Sequence, residues 1–152
     1  MKKVILILGL LITISFGATL EEATIAYNKG DYQTSKTIFE DLASKGDATA
    51  QYNLGVMYDF GKGVKQDYFK AKEWYEKAAN QGHASAQYNL GNMYSNGNGV
   101  KQDYFKAKEW YEKSAAQGNA SAQYNLGVLY TYGYGVKQDY FKAKEWYEKA
   151  AN

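Results

Sequence analysis

The 152-residue chain contains no cysteine, no proline and no arginine, and it has a single histidine. Without cysteine it can form no disulfide and offers no thiolate nucleophile or sulfur ligand. With one histidine besides, a zinc site would have to be built from carboxylates, a poor match to that ion. The missing arginine removes the planar fork that grips phosphate and guanine in two places at once. No Ser is followed three residues later by Lys, and neither Ser-Asp-Asn nor Lys-Thr-Gly occurs, so the serine β-lactamase apparatus is missing. Glycine pairs such as Gly97-Asn98-Gly99 read as turns between helices and do not fit a phosphate loop.

Charge excludes a further class. Setting aside Lys2 and Lys3 leaves 16 lysines (18 − 2) against 16 acidic residues. The lysines alternate with Glu on helical surfaces, whereas a nucleic-acid binder needs a clustered basic face. No nucleic-acid partner is expected. The remaining composition, with 45% hydrophobic residues and 16 tyrosines, belongs to a folding chain rather than a disordered one.

Lys2-Lys3, an apolar run from Val4 to Phe16 and the small residues Ser15 and Gly17 form a secretory signal peptide over residues 1–17. The run is short for a membrane anchor, an uncleaved anchor being the alternative. Cleavage is expected after Gly17, giving a periplasmic or secreted localisation, with no stable membrane insertion afterwards.

Past this leader the chain repeats. Ala50-Gln51-Tyr52-Asn53-Leu54-Gly55 recurs at 86–91 and 122–127, 36 residues apart (86 − 50 = 122 − 86 = 36). The fifteen residues from Gly63 to Lys77 recur unchanged at 99–113 and 135–149. A fixed period of this length marks stacked supersecondary units, each unable to bury its apolar face alone. Each unit reads as two helices. The first runs from about Ala48 to Phe60 behind an Asp47 cap, with Ala50, Leu54, Met57 and Tyr58 on one stripe. Gly61-Lys62-Gly63 ends it. The second follows Asp67 to about Asn80, with Tyr68, Ala71, Trp74, Tyr75 and Ala78 facing inward. The tryptophans Trp74, Trp110 and Trp146 are expected to be core. Residues 18–46 form a degenerate hairpin, helical over Glu21–Lys29 and Thr34–Ser44, and three full units occupy 47–82, 83–118 and 119–152. After the last helix the array stops with apolar surface around Trp146. That open end points to weak self-association or a partner, with a frayed or truncated terminus as the alternative.

The pattern Ala-x-x-x-Leu-Gly-x-x-Tyr, then Gly-x-Gly-Val, then Asp-Tyr-x-Lys-Ala-x-x-Trp-Tyr-x-Lys-Ala-Ala resembles the Sel-1-like repeat family, itself similar to tetratricopeptide repeats. The resemblance implies an all-α fold, a right-handed α/α solenoid of helical hairpins, and a role as an adaptor in protein complexes. It also implies an alternative. A group of secreted bacterial relatives, labelled β-lactamase-like, staples successive helices with two cysteines per repeat. Their positions correspond to Ala79 and Gln87, or Ala115 and Gln123, so this chain departs from that group at its defining feature.

Catalysis finds little support. His83 occupies the helix-entry slot held by Asp47 and Asn119 in the other units, which fits a variable cap better than a general base. Glu73 and Glu76 recur among lysines, as on a solvated face with helical ion pairs. Asn119-Ala120-Ser121 matches a glycosylation acceptor only by chance, because the same joint is built elsewhere as His83-Ala84-Ser85. No cofactor and no metal are expected.

Differences between units mark positions that the stack leaves free. They include Val56/Asn92/Val128, Asp59/Ser95/Thr131 and Phe60/Asn96/Tyr132, along the first helices. Tyr52, Tyr88 and Tyr124 lie four residues before the first set. In tetratricopeptide-like stacks the first helices line the concave groove, so these twelve residues suggest a trough for an extended peptide or a partner helix. The competing reading makes the tyrosines structural. The function expected is that of an exported scaffold binding a protein or peptide; the alternatives are β-lactam binding or hydrolysis by family analogy, and a cell-wall glycan binder.

Overall fold

The computed structural model describes residues 17–152 in full. Before them it describes only the backbone of two antiparallel strands, β1 (Lys3–Ile7) and β2 (Leu10–Ile14), paired from Lys3↔Ile14 to Ile7↔Leu10. The expectation of a signal peptide falls on residues 1–17, of which residues 1, 2, 8, 9, 15 and 16 lie outside the described residues. Everything after it is helical: α1 (Leu20–Asn28), α2 (Tyr32–Ser44), α3 (Ala48–Phe60), α4 (Tyr68–Asn80), α5 (Ala84–Asn96), α6 (Tyr104–Ala115), α7 (Ala120–Tyr132) and α8 (Tyr140–Ala151). Each helix packs on the next one in the chain, which makes a solenoid of hairpins.

The ends of the helices follow from the repeat. Asp47, His83 and Asn119 accept the backbone N–H of Ala50, Ala86 and Ala122 at 2.8, 3.3 and 3.0 Å. Three different side chains thus supply one acceptor for an otherwise unpaired first-turn amide. In the N-terminal hairpin the Asp31 cap starts α2 at Tyr32, two residues earlier than the sequence suggests. Thr19 and Glu22 close a capping box on α1.

The buried clusters straddle the hairpins. One joins Ala71, Tyr75, Ala78 and Ala79 of α4 to Ala86, Leu90 and Met93 of α5. The next joins Ala107, Tyr111 and Ala115 of α6 to Ala122, Leu126 and Leu129 of α7. No hairpin therefore buries its core alone, which is the physical reason for the array. Tyr75 and Tyr111 fill the hairpin interior at 0% and 2% exposure. They fit because Gly55 and Gly91 face them: a Cβ there would come within 2.4 Å of the ring.

The tryptophans are not core, contrary to the reading of their stripe. Trp74, Trp110 and Trp146 are half-buried, and each lies over the cluster at the preceding hairpin junction. Lys77, Lys113 and Lys149 cover their outer faces at 4.0–4.2 Å from the ring centroids. Tyrosine takes the interior because its hydroxyl reaches a polar group at the rim; the larger indole stays at the boundary.

At Gln51, Gln87 and Gln123 side-chain amides make the link between successive hairpins. Gln87 donates to the Ala79 carbonyl at 3.1 Å, Gln123 to Ala115 at 3.2 Å and Gln51 to Ala43 at 3.3 Å. Gln81 and Gln117 then donate to Gln51 and Gln87, at 2.8 Å in each case. The first three bonds link the close of one hairpin to the opening of the next, and the last two tie the close of a hairpin to its own first helix. At the C-terminal end Ala151 is exposed, whereas its counterparts Ala79 and Ala115 are 3% and 4% exposed under a following helix.

Candidate partner-binding site

The sequence-predicted groove residues do not all meet. Asn92, Ser95, Asn96 and Val128 converge on one cleft of about 500 Å³ between α5 and α7. It is completed by residues that unit-to-unit variation could not reveal: Gln102, Tyr104, Tyr111 and Asn125 are the same in every repeat. Tyr134, which does vary, closes the edge. No charged side chain lines the cleft.

Its walls are held by hydrogen bonds. The Tyr111 hydroxyl donates to Asn92 Oδ1 at 2.8 Å, and Asn125 Nδ2 donates to the same oxygen at 3.2 Å. Burial pushes the Tyr111 hydroxyl up to about 12, so it remains a neutral donor. Gln102 Nε2 bridges the Ser95 carbonyl at 2.7 Å and the Tyr104 hydroxyl at 3.0 Å. The rings of Tyr104 and Tyr134 stack with centroids 4.9 Å apart, and Tyr132 stacks on Tyr134 at 5.6 Å. The result is an uncharged hollow with fixed amides on one side and an open tyrosine platform on the other.

The remaining expected residues have other surroundings. In the first repeat Asp59 accepts from the Tyr75 hydroxyl at 3.0 Å; burial raises its carboxyl pKa, against the lowering effect of that bond. In the third, Thr131 Oγ1 meets the Tyr147 hydroxyl at 3.0 Å. Three variable residues from two repeat positions, Asp59, Asn92 and Thr131, thus serve the equivalent tyrosines Tyr75, Tyr111 and Tyr147. Tyr52 is half-buried, tilted against Tyr75 at 5.9 Å and stacked on His83 at 4.6 Å. Tyr88 packs likewise on Tyr111 at 6.0 Å, while Tyr124, over Tyr147, is 55% exposed. Val56 is half-buried against the α4–α5 cluster, and Phe60 stands 64% exposed at the end of α3. Tyr52, Tyr88 and Val56 are thus at least partly structural.

Among the described residues, no group of three His, Cys, Asp or Glu side chains is placed to hold a metal ion. No helix among them is long and apolar enough to cross a membrane.

A Sel1-repeat family model matches residues 48–83, 84–119 and 120–152. Among solved structures the chain is similar to a Sel1 repeat protein from Oxalobacter formigenes, at 34% identity and a TM-score of 0.83, over 88% of this chain and 55% of that one. It is also similar to a protective antigen of uropathogenic Escherichia coli strains that displays an SLR fold, at 37% identity and a TM-score of 0.78, over 86% and 30% of the two chains. Cysteine-rich protein B of Helicobacter pylori shares the fold at 20% identity and a TM-score of 0.57, over 71% and 97%. The chain thus spans about half of the Oxalobacter protein and under a third of the antigen. No curated protein matches. With three consecutive repeats matched over residues 48–152 and two Sel1-type structures at 34% and 37% identity, the chain belongs to the Sel1-repeat family.

Proposed function

We propose that this chain is an exported scaffold that binds a protein partner through an extended segment laid along its first-helix face. Sel1 repeats generally mediate protein interactions. The observation that carries the reading is the cleft between α5 and α7, where four freely varying positions meet fixed amide donors and acceptors. Asn92, Asn96 and Asn125 suit the N–H and C=O groups of an extended backbone, and the tyrosine platform suits its side chains. Export is supported by Lys2-Lys3, the apolar run and the small residues before Ala18.

The test is capture from an envelope extract of the source organism, comparing the protein with an Asn96→Lys/Val128→Lys/Tyr132→Ser variant. These side chains are exposed or half-buried and none hydrogen-bonds to the interior tyrosine, so the variant should melt as the parent does. Loss of one specific protein partner by the variant supports the reading, and equal capture by both refutes it. A glycan is the second reading, favoured by the stacked Tyr104, Tyr134 and Tyr132 beside an uncharged lining. Retention on purified cell-wall glycan, lost in the same variant, would replace the protein partner with a saccharide.

A further inference from the structure

Core positions repeat because the stack repeats, yet one invariant aromatic residue is exposed in all three units. Phe69, Phe105 and Phe141 open the second helices and are 71%, 70% and 87% exposed. They contribute little to the buried clusters, so packing does not explain a phenylalanine there three times over.

The surroundings of these rings are built. Gly99 and Gly135, at φ of +66° and +65°, bring the inter-helix loops against the backbone of the preceding second helix. A Cβ on Gly99 would lie 2.9 Å from the Tyr68 carbonyl oxygen, and one on Gly135 would lie 2.8 Å from the Tyr104 carbonyl carbon. This close seating turns consecutive loops into one edge, hollowed by clefts of about 920, 670 and 660 Å³. Tyr58, Val64 and Val100 form the floor of the first.

The rim is basic. Lys65, Lys101 and Lys137 come from the loops, and Lys70, Lys106 and Lys142 from the helices, held 5.3–5.4 Å from the ring centroids of Tyr58, Tyr94 and Tyr130. None of the six has a carboxylate within 4.0 Å, whereas Lys72, Lys108 and Lys144 on the same helices each pair with a Glu. The acids of this edge, Asp67, Asp103 and Asp139, are engaged as caps by first-turn amides. Glu73, Glu109 and Glu145, one turn further on, line none of the clefts.

We propose that this loop edge, which meets the first-helix cleft at Gln102 and Tyr104, is a second docking surface for an extended acidic peptide segment of a partner protein that carries apolar side chains. Unpaired lysines call for carboxylates, and the recessed Tyr and Val floor calls for side chains that enter it. The relief of the edge, a row of discrete clefts and not a flat apolar face, matches individual side chains of an extended chain and favours a peptide over an anionic membrane. Three clefts of similar lining on one edge let weak contacts add along a single ligand chain.

Fluorescence anisotropy with a labelled peptide alternating Asp or Glu with Leu or Phe tests this. Its counterpart has Asn and Gln in place of the acids. The acidic peptide is expected to bind roughly tenfold more tightly and to weaken with added salt. A Phe69/Phe105/Phe141→Ser variant and a Lys65/Lys101/Lys137→Gln variant, both with unchanged melting, should each lose roughly tenfold in affinity. An Asn96→Ser/Val128→Ser/Tyr132→Ser variant, which adds no charge, should bind like the parent, which separates this surface from the first. Equal binding of the two peptides, no binding, or tighter binding to anionic phosphatidylglycerol vesicles or to a single-stranded oligonucleotide would overturn the proposal.

Discussion

Gly91→Ala separates local propensity from tertiary packing, because the two give opposite signs. In a free helix interior the change stabilises by about 1 kcal/mol. Here the new methyl would sit 2.4 Å from two ring carbons of Tyr111, which is 2% exposed and anchored through its hydroxyl to Asn92. The ring can move only by opening the α6–α7 cluster and leaving that hydroxyl unpaired. Overpacking costs about 1–3 kcal/mol, and a stranded buried hydroxyl costs a similar amount. Against the propensity gain, the net expectation is a loss of about 2–4 kcal/mol, a large share of a domain's typical stability. For a chain of this size that lowers the thermal midpoint by roughly 10 °C. The assay is urea unfolding followed by circular dichroism, run as a double-mutant cycle with Tyr111→Ala. Once the ring is gone, Gly91→Ala should become neutral or slightly stabilising. A Gly91→Ala protein as stable as the parent would refute the account, as would an equal loss in both backgrounds. Gly82→Ala is the control: with nothing within 4 Å of the new methyl, it should cost only the strain of φ +87°, about 1–2 kcal/mol.

Three further outcomes follow from the same geometry. Trp110→Ala should cost about 2–3 kcal/mol, less than the roughly 3–5 expected for Tyr111→Ala, because the indole is only half-buried; denaturant midpoints of the two variants check the order. His83 accepts the Ala86 amide through Nδ1, so only its neutral form caps α5, and burial pushes its pKa down against the pull of Asp47. The unfolded chain therefore binds more protons just below pH 6.5, and stability should fall as pH drops from about 6.5 through the lower folded value. Thermal melts of the parent and of His83→Asn, the neutral cap type of Asn119, should diverge on acidification and agree above pH 7. Ala79→Cys with Gln87→Cys should close a disulfide across the position of the amide staple, raising stability by about 2–3 kcal/mol over the reduced form; a free-thiol assay and paired melts read the result.

The period, the helix pairs and their caps were legible in the chain itself. Periodicity and caps are local, and three near-identical copies display every boundary three times. Asp47, His83 and Asn119 show this well: their common role as caps follows from their place before an apolar stripe, and the structure adds only distances. The choice between Trp74 and Tyr75 as the interior aromatic was not legible, since both lie on the inward stripe. It is decided by Gly55 on the facing helix, which leaves room for one flat ring with its hydroxyl at the rim. Variation between units marked Asn92, Ser95, Asn96 and Val128 as free. It could not show that invariant Gln102, Tyr104 and Asn125 share their cleft, because a residue repeated by necessity looks the same whichever way it points. Phe69 and its copies carry the same lesson: only the packing of Gly99 and Gly135 on the preceding helix makes an edge of them. Local chemistry thus determined which elements form and where they stop. The approach of one hairpin to the next decided which side chains became interior, rim or open surface, because that contact joins residues that no sequence period brings together.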